Sequence, residues 1–466
     1  MPKVAFHNLG CKVNAYEIEV MQQLLQEMGY DLMPFEEGAD VYVINTCSVT
    51  NIADRKSRQM LHKAKKMNPD AVVVAVGCYV QTGLEQVELD PDIDLAIGNN
   101  KKAEIGEILK AFLMEREGKA AQKESFKKSE VLDINHTSWY EEMQLKQTAE
   151  HTRAYIKIQD GCNQFCSYCI IPYARGRVRS RKEEDVLEEI TNLVQKGFKE
   201  VVITGIHLSS YGLDFLEKES KEGDYLGSAA ARKLVYEKEY LLHLLEKMDA
   251  IEGLQRIRIG SLEPRIITEK FVTGLQQLKH LCPHFHLSLQ SGCDATLQRM
   301  NRHYSAAEYQ DKVKILREFF PKAAITTDVI VGFPGETEEE FAISKAFLEQ
   351  VQFYEAHIFK YSKRQGTVAA ARKDQIPEKE KTKRSSILLE LTKEQSIAYR
   401  ESFLGKEVEV LIEEEKEIDE KVYQVGFTPH YVKAAVEKTV ESNQIIRGKA
   451  EKLLAGEYLL LEVNGL

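Results

Sequence analysis

The sequence predicts a multidomain α/β protein with a small all-β domain at its carboxyl end. Strand-like apolar runs alternate with helical patterns over residues 1–114, and the same alternation returns over residues 151–400. Short strands separated by turns fill residues 401–466. We therefore expect an N-terminal parallel α/β sheet domain, a central partial (β/α)6 barrel and a C-terminal OB-like β-barrel. Residues 115–150 are polar and weakly periodic, which is typical of a linker.

Composition and charge narrow the class of protein. The 466 residues are 43% hydrophobic and 29% charged, which is ordinary for a globular chain. No apolar run approaches the roughly 18 residues of a membrane span, and no signal peptide precedes the first strand pattern, so we expect a cytoplasmic protein. The net charge of −10 argues against nonspecific affinity for nucleic acid. Eight cysteines in so long a chain favour metal or catalytic sites over a disulfide scaffold.

In the first domain, three cysteines each follow a predicted strand. The strands are expected at 4–6, 41–44 and 71–76, and Cys11, Cys47 and Cys78 (the first trio) come just after them. Asn14 and Glu17 resemble a capping box that would start the first helix. If the strands are parallel, the three thiols emerge at the edge where open α/β sheets bind ligands. This arrangement predicts a metal-cluster site, and buried structural cysteines are the alternative.

The second domain carries its cysteines in one loop. Cys162, Cys166 and Cys169 (the second trio) have a C-x3-C-x2-C spacing directly after a strand expected at 154–159. Ferredoxin clusters use four cysteines, so three would leave one iron open for another ligand. A zinc site completed by a residue such as His207 is the alternative. Further strands are expected at 201–205, 256–260, 285–289, 325–331 and 356–361, with a surface insertion at 212–240.

Two basic regions are candidate RNA contacts. Arg175, Arg177, Arg179 and Arg181 alternate, so in an extended segment they would share one face suited to phosphates; solvated loop arginines are the alternative. The last domain holds 8 Lys and Arg against 13 Asp and Glu from Ser402 onward. An acidic barrel needs a local basic face to bind RNA, and Lys433 and Arg447 are the candidates.

Taken together, the motifs carry a family resemblance. They are NLGCKVN at 8–14, NTC at 45–47, GC at 77–78, GCNQFCSYC at 161–169, TGIH at 204–207, SLEP at 261–264, LSLQSG at 287–292 and VGFPGE at 331–336. This set resembles the radical S-adenosylmethionine (SAM) methylthiotransferases over all three domains. The NLGCKVN and TGIH motifs are similar to those of the tRNA branch that acts on N6-threonylcarbamoyladenosine. The alternatives are the branches acting on isopentenyladenosine in tRNA and on a ribosomal protein aspartate.

The resemblance implies a set of cofactors and site residues. The second trio would hold a [4Fe-4S] cluster whose open iron binds SAM, and the first trio an auxiliary [4Fe-4S] cluster that carries sulfur. No catalytic side chain beyond these clusters is expected. The expected SAM contacts are Tyr168, Thr204, Gly205, Ser261, Glu263 and Gln290. The C-terminal domain would be a TRAM domain that grips the substrate.

The resemblance also implies partners. They are tRNA, through adenosine 37 of the anticodon loop, and an electron donor such as a flavodoxin or ferredoxin, with no membrane and no DNA. The expected product is the 2-methylthio derivative of the modified adenosine. A zinc-containing RNA-binding protein is the alternative from another functional class.

Overall fold

A computed structural model describes residues 1–120, 127–146, 152–219 and 229–463. Its N-terminal domain is a parallel sheet of strand order β2-β1-β3-β4-β5-β6. The strands are β1 Lys3–Asn8, β2 Asp31–Met33, β3 Val41–Thr46, β4 Val72–Gly77, β5 Leu95–Ile97 and β6 Lys128–Glu130. The helices are α1 Lys12–Glu27, α2 Asn51–Met67, α3 Cys78–Thr82, α4 Leu84–Leu89 and α5 Ile105–Ala120. Every residue of β3 and β4 is buried, as expected for central strands covered on both faces.

The predicted linker is wrong in part. Helix α5 runs past residue 114 to Ala120, and β6 is the sixth strand of the first sheet. Further along, Met143 and Leu145 are buried in the main core. The segment is polar because it lies at the sheet edge and runs over the surface between a few buried anchors, while residues 121–126 and 147–151 lie outside the described residues.

The predicted start of α1 is also wrong. The helix begins at Lys12 with Cys11 as its N-cap residue, without a side-chain capping bond. The amide of Asn14 instead donates to the carbonyl oxygens of Leu9 and Thr46, at 2.7 and 3.1 Å. Asn14 therefore holds together the two loops that carry Cys11 and Cys47.

The central domain is an open barrel of parallel strands, which confirms the predicted fold class. Its strands are β7 Ala154–Asp160, β8 Arg179–Ser180, β9 Glu200–Gly205, β10 Arg256–Ile259, β11 Ser261–Leu262, β12 His284–Leu287, β13 Ala324–Val331 and β14 Glu355–Lys360. They form the sheets β10-β9-β7-β8 and β11-β12-β13-β14. The Ile257 amide donates to the His280 carbonyl at 2.7 Å, which joins the two sheets. Only the short β8 runs antiparallel to its neighbour in these sheets.

Helices cover the strands of the barrel. They are α6 Ile171–Ala174, α7 Glu183–Gln195, α8 Leu213–Glu219, α9 Ala229–Lys238, α10 Tyr240–Asp249, α11 Glu269–Gln277, α12 Asp294–Arg299, α13 Ala306–Phe319, α14 Glu338–Val351, α15 Val368–Ala371 and α16 Glu378–Glu401. The predicted surface insertion contains α8 and α9, whose Leu213, Leu216 and Val235 form a small buried cluster. It is therefore packed against the barrel, although residues 220–228 lie outside the described part.

The C-terminal domain is a closed barrel of order β15-β16-β17-β19-β18. Its strands are β15 Glu407–Ile418, β16 Lys421–Phe427, β17 Lys433–Val436, β18 Ile445–Leu454 and β19 Tyr458–Glu462. It packs at the amino ends of the central strands, where Arg258 donates to the carbonyl oxygens of Thr428 and Pro429. Among the described residues, none of the helices combines the length and hydropathy needed to cross a membrane.

Candidate functional site

The three thiols of the first trio meet at one edge of the N-terminal sheet. Cys11 follows β1, Cys47 follows β3 and Cys78 opens the helix after β4, and these strands are neighbours in the sheet. The strand order reverses between β1 and β3, which is where open α/β sheets bind ligands. A Cβ atom placed on Gly10 would lie only 3.1 Å from the Cβ of Cys47, so the first two loops touch.

The thiols of the first trio lie close enough to influence one another's pKa. Burial, with smaller contributions from the neighbouring Cys78 and Cys11, raises the pKa of Cys47 to about 12. Burial likewise raises the pKa of Cys11, with Cys78 among the groups that add to it. Such thiols stay protonated at neutral pH unless a metal replaces the proton. The Nδ2 of Asn99 donates to the Sγ of Cys78 at 3.4 Å, a contact that suits a metal-bound sulfur.

A buried ion-pair network lies behind the first trio. The guanidinium of Arg175 donates to Glu17 at 2.7 Å, to Asp160 at 3.2 Å and to the Asn14 side chain at 2.6 Å. Lys157 binds the same two carboxylates at 2.8 and 2.7 Å. Although burial alone would raise it, these cations hold the pKa of Glu17 well below its usual range. The network joins α1 of the first domain to β7 of the barrel.

The predicted arginine stripe is wrong for three of its four members. Arg175, Arg179 and Arg181 are each only 1% exposed, so they cannot present a face to RNA. Arg175 and Arg179 turn toward Asp160, and Arg181 pairs with the buried Glu189. Arg177 is half-buried and stacks over the ring of Phe165 at 4.5 Å. Their acidic partners lie on other elements, which the alternating pattern could not reveal.

The second trio lies in the loop between β7 and α6. Burial, with a smaller contribution from Cys166, raises the pKa of Cys162 to about 12. Burial also raises the pKa of Cys169, with smaller contributions from Cys166 and Cys162. Arg302 donates from Nη1 to the Sγ of Cys166 at 3.2 Å. Sequence reasoning missed Arg302, because it lies 136 residues further along the chain.

A cavity of about 320 Å³ opens directly in front of the second trio. All three cysteines line it, together with residues that follow the carboxyl ends of the barrel strands. Val49 and Thr50, from the loop behind Cys47, close its other side. The loop that follows Cys47 and the loop of the second trio therefore border one chamber, although they come from different domains.

Four of the six predicted SAM contacts line this chamber: Tyr168, Ser261, Glu263 and Gln290. Although burial works in the opposite direction, Arg265 lowers the pKa of Glu263, so this buried carboxylate is ionised at neutral pH. Thr204 and Gly205 are not among the lining residues, since they end β9 behind the chamber, and the next two residues, Ile206 and His207, line it instead. Asp328 and Ser288 also line it and were not predicted.

Of the two predicted contacts in the last domain, Arg447 is exposed and Lys433 is half-buried, and both are paired. Lys433 lies 3.0 Å from Glu457, and Arg447 lies 3.2 Å from Glu409 with 78% of its side chain exposed. Neither position is buried, so their role in RNA binding stays a prediction.

The spacing of the cysteines fits iron–sulfur clusters better than zinc. Four ligands at about 2.3 Å from a tetrahedral zinc ion lie about 4 Å from one another. Within the described residues, which include all eight cysteines, the groups of three or more potential ligand atoms within 4.8 Å contain no cysteine. Each trio therefore spreads wider than a zinc site. Three thiols with hydrogen-bond donors beside them and an open side are suited to a cluster with one free iron.

Two family models match the first and the second domain of the chain. Residues 3–98 match the family model described as "Uncharacterized protein family UPF0004", and residues 156–348 match the radical SAM superfamily. The chain is 39% identical to threonylcarbamoyladenosine tRNA methylthiotransferase MtaB of Bacillus subtilis, over 94% of this chain and 91% of that protein. It is 37% identical to the protein of the same name from Aquifex aeolicus, over 96% and 99%.

More distant similarity extends to a related activity and to a solved fold. The chain is 34% identical to tRNA-2-methylthio-N(6)-dimethylallyladenosine synthase of Carboxydothermus hydrogenoformans, over 88% of each protein. Among solved structures, the radical S-adenosylmethionine methyltransferase TsrM from Kitasatospora setae superposes with a TM-score of 0.53 at 14% identity. That match covers 77% of this chain and 73% of the other, and it supports the fold alone.

Proposed function

Since the chain belongs to the radical SAM methylthiotransferase family, we propose that it attaches a methylthio group to C2 of N6-threonylcarbamoyladenosine in tRNA. The observation that carries the proposal is the chamber lined by Cys162, Cys166 and Cys169 and closed by the loop behind Cys47. The names of the most similar relatives supply the substrate. We further propose adenosine 37 of the anticodon loop as the target, and the cytoplasm as the place of action, because tRNA is there.

The two cysteine trios divide the work. The second trio would hold the cluster that supplies the reductive cleavage of SAM, and the first trio would hold the cluster that supplies the sulfur. The protein contributes proximity. It places the loop that follows Cys47 and the loop of the second trio around one chamber, and so brings the reacting atoms together. Such chemistry needs electrons from outside, and we propose a flavodoxin or a ferredoxin as the donor.

The side chains of the chamber are suited to holding SAM. The ionised carboxylate of Glu263 can accept hydrogen bonds from an ammonium group, and the amide of Gln290 can bind a ribose hydroxyl. Tyr168 packs edge-on against Phe333, with ring centres 6.3 Å apart, which fixes the loop between Cys166 and Cys169.

The test is nucleoside mass spectrometry. A strain lacking the gene should lose 2-methylthio-N6-threonylcarbamoyladenosine from its tRNA and regain it when the gene is restored on a plasmid. The strain should keep the unmethylthiolated nucleoside. Loss of the methylthio derivative of dimethylallyladenosine instead, or no change in any tRNA nucleoside, would contradict the proposed substrate.

A further inference from the structure

Lys12 is a cation without a hydrogen-bonding partner beside the first trio. It follows Cys11 directly, and its Nζ lies 5.6 Å from the centre of the Tyr431 ring, which belongs to the C-terminal domain. Within the described residues, no carboxylate or other acceptor bonds to its ammonium group. Tyr431 therefore brings the C-terminal domain to within a few ångströms of the loop that carries Cys11.

Two arginines also lie against the Tyr431 ring, and each of them has a carboxylate partner. Arg258 lies 4.7 Å from the ring centre and donates to Glu200 at 2.7 Å. Arg153 lies 5.3 Å from the ring centre and pairs with Glu413 at 2.5 Å. Each arginine is balanced by its own carboxylate, which leaves the charge of Lys12 without a carboxylate partner of its own. An uncompensated, half-buried cation is costly unless an anion joins it.

His284 offers a second polar group at the same ring. Its imidazole lies 4.8 Å from the Tyr431 ring, and only 4% of the residue is exposed. Its Nε2 lies 3.3 Å from the Thr326 hydroxyl, whereas its Nδ1 is buried and has no hydrogen-bond partner among the described residues. Burial and the nearby Arg258 and Lys12 push the pKa of His284 well below its usual range, so the ring is neutral.

A line of polar side chains connects this region with the SAM chamber. Asp328 lines the chamber and lies 3.3 Å from Nε2 of His286. The Nδ1 of His286 lies 3.0 Å from the hydroxyl of Thr326, which also contacts His284. The parallel strands β12 and β13 carry these residues on one face. These contacts place a row of polar side chains on one face of β12 and β13, from the chamber at their carboxyl ends toward His284 and Lys12 near their amino ends. A polar substituent of a nucleoside bound in the chamber would follow this row.

We propose that Lys12, His284 and Tyr431 form a carboxylate-binding subsite that takes the charged end of the threonylcarbamoyl substituent. The inference rests on the proposed function and adds the basis of its specificity. Lys12 neutralises the carboxylate, His284 supplies a neutral hydrogen bond, and the Tyr431 ring forms one wall. A dimethylallyl substituent is apolar and gives Lys12 no anion, so the subsite discriminates between the two modified adenosines.

The test compares two anticodon stem-loops that differ only in this charge. One carries threonylcarbamoyladenosine and the other its threoninamide analogue, in which the carboxylate is a neutral amide. Fluorescence anisotropy with the anaerobically reconstituted holoenzyme gives both Kd values. We expect the wild-type protein to prefer the carboxylate about tenfold or more, as for one hydrogen-bonded charge pair. Lys12→Met should reduce this preference to about twofold or less, and Lys12→Arg should restore most of it.

Matched measurements distinguish the competing outcomes. Lys314→Met, which removes an exposed lysine paired with Asp311, should keep the wild-type preference. Iron and sulfide content must be unchanged in Lys12→Met, which shows that the adjacent cluster site is intact. An unchanged preference in Lys12→Met overturns the inference. Equal weakening toward both stem-loops also overturns it, because that result assigns Lys12 to a phosphate common to both.

The failure of the subsite is distinct from failure of the proposed function. If the wild-type protein methylthiolates the threonylcarbamoyl stem-loop while Lys12→Met keeps its preference, the function stands and the subsite falls. If the wild-type protein methylthiolates only a dimethylallyl stem-loop, the proposed function falls, and the subsite falls with it.

Discussion

The cysteines show how a small number of residues defines the chemistry of a large chain. Cys11, Cys47 and Cys78 are separated by tens of residues. They nevertheless meet at one edge of the sheet, because each follows the carboxyl end of a parallel strand. Their convergence was predictable because it requires only the direction of three strands. The hydrogen-bond donors at their sulfurs, such as Asn99, were not predictable, since they arrive from unrelated loops.

Replacing single cysteines should separate the two halves of the reaction. Cys169→Ala should abolish SAM cleavage, because it removes one of the three cysteines that would hold the second trio's cluster. Cys47→Ala should keep 5′-deoxyadenosine formation but stop methylthio transfer. Chromatography of the deoxyadenosine and mass spectrometry of the nucleoside measure the two steps. Cys282→Ala, at a buried cysteine outside both trios, is the control and should retain both steps. Normal methylthio transfer by Cys47→Ala would refute the role of the first trio.

Arg175 is a structural cation, and its replacement should reveal this. Arg175→Met should lower the free energy of unfolding by about 3–5 kcal/mol, because it leaves Glu17 and Asp160 buried without this partner. Denaturant unfolding of the anaerobic protein measures the change. Arg447→Met, at an exposed arginine, should change stability by less than about 0.5 kcal/mol. Full stability with a loss of tRNA affinity in Arg175→Met would restore the predicted RNA role.

At the scale of elements, the carboxyl end of β14 is tied to the first domain. Arg364 follows β14 and is only 7% exposed. Its guanidinium donates to Asp54 at 2.6 Å, to Asn51 at 2.8 Å and to Ser48 at 2.8 Å. Ser48 directly follows Cys47, so this arginine sets the position of the first trio relative to the barrel.

Loosening this tie should uncouple the two steps. Arg364→Met should keep SAM cleavage within a few-fold of wild type while methylthio transfer falls about ten- to a hundred-fold, because the sulfur site is misplaced. The ratio of 5′-deoxyadenosine to methylthiolated nucleoside measures the coupling. Arg372→Met, which removes a partly exposed arginine paired with Asp374, should keep the wild-type ratio. An unchanged ratio in Arg364→Met would show that another contact positions the first trio.

The sequence predicts the elements unevenly, for physical reasons. The six parallel barrel strands lie close to their predicted positions, because each carries β-branched or aromatic residues, often at alternate positions as in the Arg-Ile-Arg-Ile of β10. Strand β18 carries a weak sequence signal, because its buried positions include the small residues Gly448 and Ala450, with charged residues between them. The alternating arginines predicted a surface stripe, but three of the four are buried. The pattern alone does not show that Glu17, Asp160 and Glu189, on other elements, pair with them.

At the scale of the whole molecule, an acidic chain must bind a polyanion. The net charge is −10, so tRNA binding depends on a few local cations rather than on a general field. The C-terminal domain also reaches the barrel interior through Tyr431, which contacts Lys12 and His284. This domain therefore borders the proposed carboxylate subsite near the amino ends of the barrel strands, and it is also a candidate RNA-binding surface.

The proposed RNA contacts of the C-terminal domain, Arg447 and Lys433, can be tested by the salt dependence of tRNA binding. If Arg447 and Lys433 contact phosphates, each replacement by alanine should weaken tRNA binding and reduce the slope of log K against log salt by about 1. Binding isotherms at several salt concentrations give the slope. Lys421→Ala, at an exposed lysine paired with Glu437 in the same domain, is the control. A slope equal to wild type in both variants would exclude these residues from the RNA surface.

The central claim is that two separate sets of three cysteines each hold a four-iron cluster. Iron and labile-sulfide analysis of the anaerobically reconstituted protein tests it most directly. We expect about eight irons and eight sulfides per wild-type chain, and about four of each when either Cys11, Cys47 and Cys78 or Cys162, Cys166 and Cys169 are replaced together by alanine. Zinc without labile sulfide, or a triple replacement that leaves the iron content at its wild-type value, would contradict the claim.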